Sequence, residues 1–423
     1  MPGKLSKLML VMILQAAGFS LSAEDWPQWR GPGRDGAVPK GQAVPEKLPD
    51  SLKPVWKLPQ GDGVSSPVVS GGKVICIDHQ DGKEVVHAID AATGTIVWDS
   101  PLDQAHKDSQ SKPGPRCTPM VDGDRVYVQS CRGQLKCLNI ADGKVIWEKN
   151  YVKDFGANFT GESGQAPGAS RHGNTGSPLV DGDDLIVEVG GVPDASIVCF
   201  NKKTGEVKWK SENHIPGYAA PIVTKLAGRQ QIVCFMADVV MGLDRDGGKL
   251  LWSIPVKTAF ARHVTTPVVV DDMVCVASHQ FGLIGIKVTA DGDKCKAETI
   301  WTQKDSALNF SSPVVVGQHL YGLGPSKNLI CVDIPTGKQM WSKDGFTTGS
   351  AGKAHVGMIV AGANLMVLTD DGQLVLVKTD PMAYHEVSRV RVCASNWCNP
   401  AYADGKLYLR DEKQLICLQL IGK

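Results

Sequence analysis

The 423-residue sequence has almost no net charge, because 45 Lys and Arg side chains offset 44 Asp and Glu side chains. Affinity for nucleic acid depends largely on an excess of basic side chains that neutralise phosphates, so this balance argues against a nucleic-acid-binding protein. The sequence has no Cys-x-x-Cys motif and no paired His and Cys spacing, so it predicts no zinc or other metal site. Beyond residue 23 no stretch reaches the length of an apolar transmembrane helix.

Residues 1–23 have the arrangement of a cleavable signal peptide. Lys4 and Lys7 precede an apolar run that ends near Leu21, and small residues follow up to Ala23. We therefore expect cleavage near Ala23 and an exported, periplasmic protein. No cysteine stands directly after the apolar run, where a lipid would be attached, so a lipid anchor is not expected.

A repeated spacing of glycine and tryptophan organises the rest of the chain. Five times a glycine precedes a tryptophan by four residues, at Gly94–Trp98, Gly143–Trp147, Gly205–Trp209, Gly248–Trp252 and Gly337–Trp341. A glycine supplies the positive φ of a hairpin turn, and the period of two along the next strand carries the tryptophan to a buried face. The spacing thus predicts a repeated hairpin, and 46 Gly with 25 Pro predict many turns and few long helices.

Seven of the ten tryptophans fit this position, where we expect each indole to pack between neighbouring repeats. They are Trp56, Trp98, Trp147, Trp209, Trp252, Trp301 and Trp341. Eight strand starts, most of them Ser-Pro or Thr-Pro, lie between Ser66 and Pro400. Four short strands at such a spacing are typical of a propeller blade.

The two chain ends predict how the ring closes. Residues 53–58, around Trp56, form a fourth strand without three strands before it, and the last residues form three strands without a fourth. Joined, they complete one blade and leave no open sheet edge. We therefore predict an all-β, eight-bladed β-propeller of four-stranded antiparallel blades over residues 51–423, closed by an N-terminal strand, with residues 24–50 as an N-terminal extension. A seven-bladed or split array is the alternative.

Four of the twelve cysteines occupy one equivalent strand position, at Cys137, Cys199, Cys331 and Cys417. Ala88 occupies this position in the first repeat, so cysteine is interpreted there as a small buried apolar residue. The pairing of the remaining cysteines stays open, and a bridge between Cys393 and Cys398 is one alternative.

The loops before the innermost strands are the candidate binding region, because in a propeller they open on one face of the central channel. They contain basic, polar and aromatic residues: Arg116, Arg171, His172, Asn174, Tyr218, Arg262, His263, Lys353, His355 and Trp397. Such a ring is suited to an anionic ligand or to an acidic loop of a partner. The alternative is that these side chains satisfy blade-end carbonyls or are solvated. The loop of residues 164–177 is the richest.

Two further motifs do not predict a ligand site, and the Asp-Gly sequences are interpreted as turns. Residues 31–36 match Gly-x-Gly-x-x-Gly, but no strand precedes them and no helix follows, so they do not predict a dinucleotide site. The Asp-Gly sequences at residues 122–124, 181–184 and 291–293 lack the terminal glutamate of a calcium loop.

The repeats, with their Asp or Asn, Thr-Gly-Lys and Trp signature, resemble the PQQ-like (quinoprotein-type) β-propeller repeat family over about residues 50–420. That family includes the BamB-like outer-membrane assembly scaffolds and the quinoprotein alcohol dehydrogenases. The opening residues 25–32 are similar to the N-terminus of exported members from Planctomycetes-type bacteria.

The resemblance implies two functions. The first is a non-catalytic binding or scaffold protein for a protein or polymer partner in envelope assembly, with no cofactor expected; glycan binding near Trp397 is a variant of it. The alternative is a dehydrogenase for alcohols or sugars that uses PQQ with calcium. The chain lacks the adjacent cysteine pair usual in those dehydrogenases and the lipidation cysteine usual in those scaffolds. Whether the protein is an enzyme therefore stays open.

Overall fold

The computed structural model describes residues 25–109, 112–162, 165–348 and 354–422, which form 32 strands in eight four-stranded sheets. The signal-peptide prediction and Lys353 lie outside the described residues. The first strands of neighbouring sheets contact one another in at least five of the eight neighbouring pairs, and the first strands line the inside of the ring. The predicted eight-bladed β-propeller of antiparallel blades is therefore confirmed.

The first strand of the chain, β1 (Pro54–Pro59), belongs to the last blade, and the next sixteen strands form blades 1 to 4 in order. Blade 1 contains β2 (Val68–Ser70), β3 (Lys73–Gln80), β4 (Lys83–Asp90) and β5 (Ile96–Gln104); blade 2 contains β6 (Met120–Asp122), β7 (Arg125–Gln129), β8 (Gln134–Asn139) and β9 (Val145–Asn150); blade 3 contains β10 (Leu179–Asp181), β11 (Asp184–Gly191), β12 (Ala195–Asn201) and β13 (Val207–Ser211); blade 4 contains β14 (Ile222–Leu226), β15 (Arg229–Phe235), β16 (Val239–Asp244) and β17 (Leu250–Pro255).

The remaining strands form blades 5 to 8. Blade 5 contains β18 (Val268–Val270), β19 (Met273–Ser278), β20 (Gly282–Asp291) and β21 (Lys294–Gln303); blade 6 contains β22 (Val314–Val316), β23 (His319–Leu323), β24 (Leu329–Asp333) and β25 (Gln339–Lys343); blade 7 contains β26 (Val356–Ala361), β27 (Asn364–Thr369), β28 (Gln373–Lys378) and β29 (Glu386–Arg391); blade 8 contains β30 (Ala401–Ala403), β31 (Lys406–Arg410), β32 (Gln414–Gln419) and β1.

Helices are few and short in the described part of the chain. Two α-helices, α1 (Tyr151–Phe155) and α2 (Ala169–His172), lie in the long connection between blades 2 and 3. Two single 3₁₀ turns, Ala259–Ala261 and Lys304–Ser306, precede blades 5 and 6. None of these helices has the length and apolar character that crossing a bilayer requires.

The ring closes within blade 8. Strand β1 pairs antiparallel with β32, with Trp56 opposite Cys417 and Leu58 opposite Leu415. The N-terminal strand is thus the fourth strand of the blade whose other three strands end the chain, as predicted. This pairing gives blade 8 four strands like every other blade, with β1 as its outer strand.

Tryptophans of the fourth strands connect neighbouring blades. Five indoles lie on the turn glycine of the next blade, where a Cβ added to the glycine would come within 2.5–2.7 Å of the ring. The five pairs are Trp56–Gly94, Trp98–Gly143, Trp147–Gly205, Trp209–Gly248 and Trp301–Gly337. Each glycine also has a positive φ of 69–75°. Glycine is therefore required twice at this turn, for its backbone conformation and for the approach of the indole.

The two other tryptophans differ from this pattern. Trp341 donates from its indole Nε1 to the Asp380 carbonyl of the next blade over 2.9 Å. Trp252 is buried but donates to the Gln231 amide oxygen of its own blade over 2.7 Å. Six of the seven indoles thus contact or donate to a turn of the following blade, and Trp252 shares a buried cluster with Val274 and Ile284 of blade 5.

The residue opposite each of these tryptophans, on the third strand, is small. The opposite residues are Cys417, Ala88, Cys137, Cys199, Gly242, Gly285 and Cys331. Blade 7 reverses the sizes, with Leu376 opposite Ser388. All twelve cysteines are free, so the bridge between Cys393 and Cys398 that the sequence left open is absent.

The N-terminal extension crosses the central channel and joins its inner strands. Trp26 forms an antiparallel bridge with Val69 of blade 1, and Val38 donates to the Val360 carbonyl of blade 7 over 2.9 Å. Farther along, Leu48 is buried and donates its backbone N–H to the Ser388 hydroxyl over 2.8 Å. The extension therefore holds blades together, a role that its sequence did not indicate.

Two buried arginines fix this segment at the centre. Arg34 donates to the carbonyls of Pro178 and Ser177 over 2.8 and 3.1 Å, and Arg30 donates to the Pro313 carbonyl. Burial lowers the pKa of Arg34 to about 9 and that of Arg30 to about 10, so both guanidinium groups stay charged at neutral pH. They satisfy carbonyls at the starts of inner strands in blades 3 and 6.

Candidate functional site: a cavity over the closed channel

A cavity of about 480 Å³ lies on the face where the inner strands begin. Trp29 of the N-terminal extension lines it and donates to the Thr266 hydroxyl over 2.9 Å. The loops before the first strands of all eight blades contribute to its wall. Because the extension lies across the channel, the channel mouth is a pocket with a floor, where the sequence predicted only an open channel.

The structure brings six of the ten predicted site residues into the cavity wall: Arg116, His172, Tyr218, Arg262, His355 and Trp397. Arg171, Asn174 and His263 do not line the cavity. Lys353 is outside the described residues. The ligand or partner of the six wall residues stays a prediction.

Asp108 is the centre of the basic side of the cavity. Its buried carboxylate accepts from Arg116 and from His172 Nδ1, each over 2.8 Å. Burial raises the pKa of Asp108, but the close approach of His106, the hydrogen bond from His172 and the charge of Arg116 outweigh it and hold that pKa well below its usual range. Asp108 therefore neutralises part of the positive charge that the sequence predicted at the channel mouth.

Arg262 is placed in the wall by a strained loop. The two residues before it, Phe260 and Ala261, have positive φ values of 60° and 49°, which are unfavourable for non-glycine residues. The α2 connection holds this loop, because the Arg171 guanidinium lies 4.7 Å from the centre of the Phe260 ring and Gly168 donates to the Phe260 carbonyl over 3.2 Å. Arg171 thus contacts the loop that carries Arg262.

His263, the next residue, points into the protein. Its ring stacks on Phe235 with centres 4.4 Å apart, and its Nδ1 donates to the Met236 carbonyl over 2.7 Å. Burial lowers its pKa to about 4, so the ring is neutral at physiological pH. This placement matches the alternative weighed from the sequence, in which such side chains satisfy blade-end carbonyls.

An aromatic group covers the opposite side of the cavity. Trp397 lies 5.2 Å from Phe310 and 5.9 Å from His355, measured between ring centres. His355 is only 4% exposed, and its Nδ1 has no hydrogen-bond partner among the described residues. Burial lowers the pKa of His355 to about 4, so this wall is uncharged and mostly apolar.

Acidic residues of blades 7 and 8 complete the wall. Asp411 accepts from the backbone N–H groups of Ala394, Lys413 and Gln414, and Asp370 accepts from the N–H of Thr348. Glu412 is exposed. In the described ranges no three His, Cys, Asp or Glu side chains converge as metal ligands. Since the two aspartates already bind N–H groups, the donor set does not fit a calcium ion that would accompany PQQ.

The wall residues Trp29, Phe310 and Asp411 were not predicted from the sequence, and neither was Asp108, which pairs with the wall residues Arg116 and His172. Phe310 precedes a Ser-Pro strand start and was therefore within reach of the reasoning that found its neighbours. Trp29 and Asp108 lie outside the repeat, and Asp411 lies in a turn between the second and third strands. No repeat signal indicated their positions.

The fold and cavity define a closed eight-bladed propeller with a recessed cavity on the face where the inner strands begin. A family model described as outer membrane protein assembly factor BamB matches residues 82–343 and 296–382. These matches span more than half of the chain, so the chain belongs to this family.

Two curated relatives agree with this assignment. The chain is 25% identical over 337 residues to the outer membrane protein assembly factor BamB of Yersinia pestis, covering 70% of this chain and 80% of the relative. It is 24% identical over 332 residues to BamB of Burkholderia pseudomallei (strain K96243), covering 69% and 83%.

Solved structures show the same fold. BamB from Moraxella catarrhalis aligns with a TM-score of 0.58 at 16% identity, covering 88% of this chain and 99% of that one. The quinohemoprotein alcohol dehydrogenase ADHIIG from Pseudomonas putida HK5 aligns with a TM-score of 0.65 at 12% identity, covering 95% and 81%. Similarity at this level of identity establishes the architecture and not the activity.

Proposed function

We propose that the protein is an exported, periplasmic, non-catalytic binding or scaffold protein that receives a protein or polymer partner at the cavity and acts in outer-membrane protein assembly. The observation that supports this proposal is a recessed, largely apolar cavity with few unpaired charges, built on a rigid closed ring. The chain belongs to a family that is described as outer membrane protein assembly factor BamB, which supports the proposed role in outer-membrane protein assembly.

The chemistry of the wall supports binding rather than catalysis. His172 bonds to Asp108, and His355 is buried and neutral, so neither histidine in the wall contacts a hydroxyl or thiol nucleophile in the described part of the chain. Burial raises the pKa of the Cys398 thiol, which keeps it protonated and unreactive. A nucleophile paired with a base, the usual signature of covalent catalysis, is therefore missing among these side chains.

A PQQ-dependent dehydrogenase is the second candidate, and it is favoured by the basic side of the cavity, where Arg116 and Arg262 are suited to a multiply acidic cofactor. Against it, Asp370 and Asp411 are occupied by backbone N–H groups and do not converge on a calcium position. We therefore rank this candidate second.

The first experiment separates these candidates. Purified protein is mixed with PQQ and calcium, its absorbance is recorded, and reduction of an electron-accepting dye is followed with alcohols and sugars. We expect neither stoichiometric binding nor turnover. Stoichiometric binding with turnover would reverse the ranking.

The second experiment tests the role in the envelope. The gene is deleted in the native host, and the abundance of folded outer-membrane proteins is measured after complementation with the wild type, the double variant Arg116→Ala/Trp397→Ala or the exposed control Lys338→Ala. We expect the deletion to lower that abundance and the wild type and control to restore it, whereas the double variant does not. Unchanged abundance after deletion would contradict the assembly role.

A further inference from the structure

We propose that the cavity binds a peptide segment in which a carboxylate lies next to an aromatic or large aliphatic side chain, and that Arg262 anchors the carboxylate. This inference rests on the binding function proposed above and specifies the chemistry of the partner. It follows from the pairing of the charges in the wall, the position of the aromatic side chains and the strain of the Arg262 loop.

Arg262 differs from the other cations of the wall. Lys112 pairs with Asp62 over 3.2 Å, and Arg116 pairs with Asp108 over 2.8 Å. Arg262 is half-buried and has no ion pair or side-chain hydrogen bond within the described residues. A guanidinium in a partly desolvated pocket binds a carboxylate through two parallel N–H donors, so this unpaired group is suited to an acidic side chain or chain terminus.

The aromatic residues specify what should accompany that carboxylate. Tyr218 and Trp29 lie in the wall and floor, and the packed pair of Trp397 and Phe310 is half-buried. Covering such rings with an apolar side chain removes apolar surface from water on both partners. The unpartnered Nδ1 of His355, behind Trp397, provides one further polar group on this wall.

The loop geometry indicates that the Arg262 position is fixed before binding. Two consecutive non-glycine residues with positive φ are costly, and such strain persists only where surrounding contacts impose it. Those contacts are the Arg171 ring contact and the Gly168 hydrogen bond to Phe260. A loop held in this way does not have to be ordered when a ligand binds, which favours a specific anchor at Arg262 over a solvated cation.

The acidic side of the cavity favours a peptide over a polyanion. Asp370, Asp411 and Glu412 face the same space as Arg262, so a nucleic acid or a sulfated glycan would place repeated negative charges against them. A peptide with a single carboxylate at Arg262 leaves its other end near Glu412, where a basic side chain is complementary. We therefore expect an acid at one end of the bound segment and no acid at the other.

The test uses a displayed library of short random peptides, selected on the immobilised full chain. We expect enriched peptides to share an acidic residue beside an aromatic or large aliphatic one. Synthetic copies should bind Arg262→Glu about tenfold or more weakly than the wild type, as measured by calorimetry, because the charge at the anchor is reversed. The matched control Lys338→Glu reverses an exposed charge in the turn between β24 and β25 and should bind as the wild type does.

Two results would overturn the inference. Enriched peptides without an acidic residue would do so, and so would peptides that bind Arg262→Glu and the wild type equally, although in both cases the binding function itself would stand. Arg262→Lys, which keeps the charge and loses the bidentate geometry, and circular dichroism of every variant show whether a loss of binding reflects misfolding. If no peptide is enriched, the inference fails, and outer-membrane protein abundance after gene deletion decides the proposed function independently.

Discussion

At the scale of single residues, the blade architecture depends on a pairing of large and small side chains. An indole on the fourth strand lies across a Cys, Ala or Gly on the third strand, and where the indole is absent the small residue becomes Leu376. Cysteine therefore serves here as a small buried side chain. In agreement with this, burial raises the pKa of the Cys199 thiol to about 12. A buried thiol of this kind does not need a disulfide partner.

This pairing predicts the effect of a larger residue opposite an indole. Cys199→Leu should lower the free energy of unfolding by about 1–3 kcal/mol, because the added carbons have no space beside Trp209. Urea unfolding followed by tryptophan fluorescence measures the change. Cys199→Ala is the control and should lower it by about 1 kcal/mol or less. Equal stability of the Leu variant and the wild type would show that the position does not limit size.

Two buried carboxyl groups predict a pH dependence of stability. Burial, followed by the charge of Asp103, raises the pKa of Glu84 to about 8, and burial raises the pKa of Glu188 to about 8 against the opposing charge of Arg34. Neither carboxyl has a hydrogen-bond partner among the described residues. Between about pH 4, the pKa range of an unfolded glutamate, and about pH 8, the folded state holds a proton that the unfolded state has lost, so stability falls as pH rises through this window.

Glu84→Gln should remove part of this slope. We expect the variant and the wild type to have similar unfolding free energies near about pH 4 and the variant to be more stable by about 4–5 kcal/mol near about pH 9. Denaturant unfolding at a series of pH values measures this difference. The exposed control Glu46→Gln should follow the wild-type curve throughout. A wild-type stability that rises from about pH 5 to about pH 8 would contradict the argument.

At the scale of elements, the N-terminal extension acts as a ninth structural unit. It bridges inner strands of blades 1 and 7 and places Leu48 against blade 7, the one blade without a fourth-strand tryptophan. Leu48 belongs to the same buried cluster as Trp56 and Leu376. The extension thus supplies apolar packing at the seam between blades 7 and 8, where the repeat lacks its indole.

Leu48→Ala tests this role. Because Leu48 is only 2% exposed, we expect its truncation to lower the free energy of unfolding by about 2–4 kcal/mol, as for a core leucine. Thermal and urea unfolding measure the change. The neighbouring Lys47→Ala, at an exposed position, is the control and should change stability by less than about 0.5 kcal/mol. A Leu48 variant as stable as this control would show that packing of the extension does not stabilise the propeller.

The repeat made the strands of the blades predictable. The N-terminal extension lacks the repeat, so its contacts with the blades were not predicted. Gly143 forms a turn and accepts the indole of Trp98, and Trp147 on the following strand lies in the same way on Gly205. Because these contacts recur in most blades, the spacing of glycine and tryptophan is fixed, and the strands could be placed from the sequence. The extension has no such pattern. Its arginines act through carbonyls that are distant in sequence, as Arg34 does at Pro178, and no local spacing indicates those contacts.

The cavity was predictable to the same extent. Loops before Ser-Pro or Thr-Pro starts lie on one face by topology, which located Arg116 and Arg262. Which way each side chain points depends on the conformation of its own loop, and His263 turns inward beside the outward-facing Arg262. The neutralising role of Asp108 depends on folding of a long connection, which the sequence pattern does not specify.

At the scale of the whole molecule, closure through the β1–β32 pair makes the ring a candidate for a single cooperative unit. Each blade contacts two neighbours, so a closed ring differs from an open repeat array, in which a defect remains local. Trp56 is the residue at which this difference is testable, because its indole lies on Gly94 and donates to the Ala91 carbonyl, which connects the closing blade to blade 1.

Trp56→Ala should therefore accelerate amide hydrogen exchange in blade 4, on the far side of the ring, as well as in blades 8 and 1. The lost packing costs about 3–5 kcal/mol, and in a cooperative ring this loss lowers the opening free energy of every blade. Exchange followed by mass spectrometry over residues 222–255 measures the effect. Trp397→Ala removes an indole from the cavity wall instead of from a blade seam and should leave exchange in blade 4 unchanged. Faster exchange confined to blades 8 and 1 would show that the blades open as separate units in spite of the closed ring.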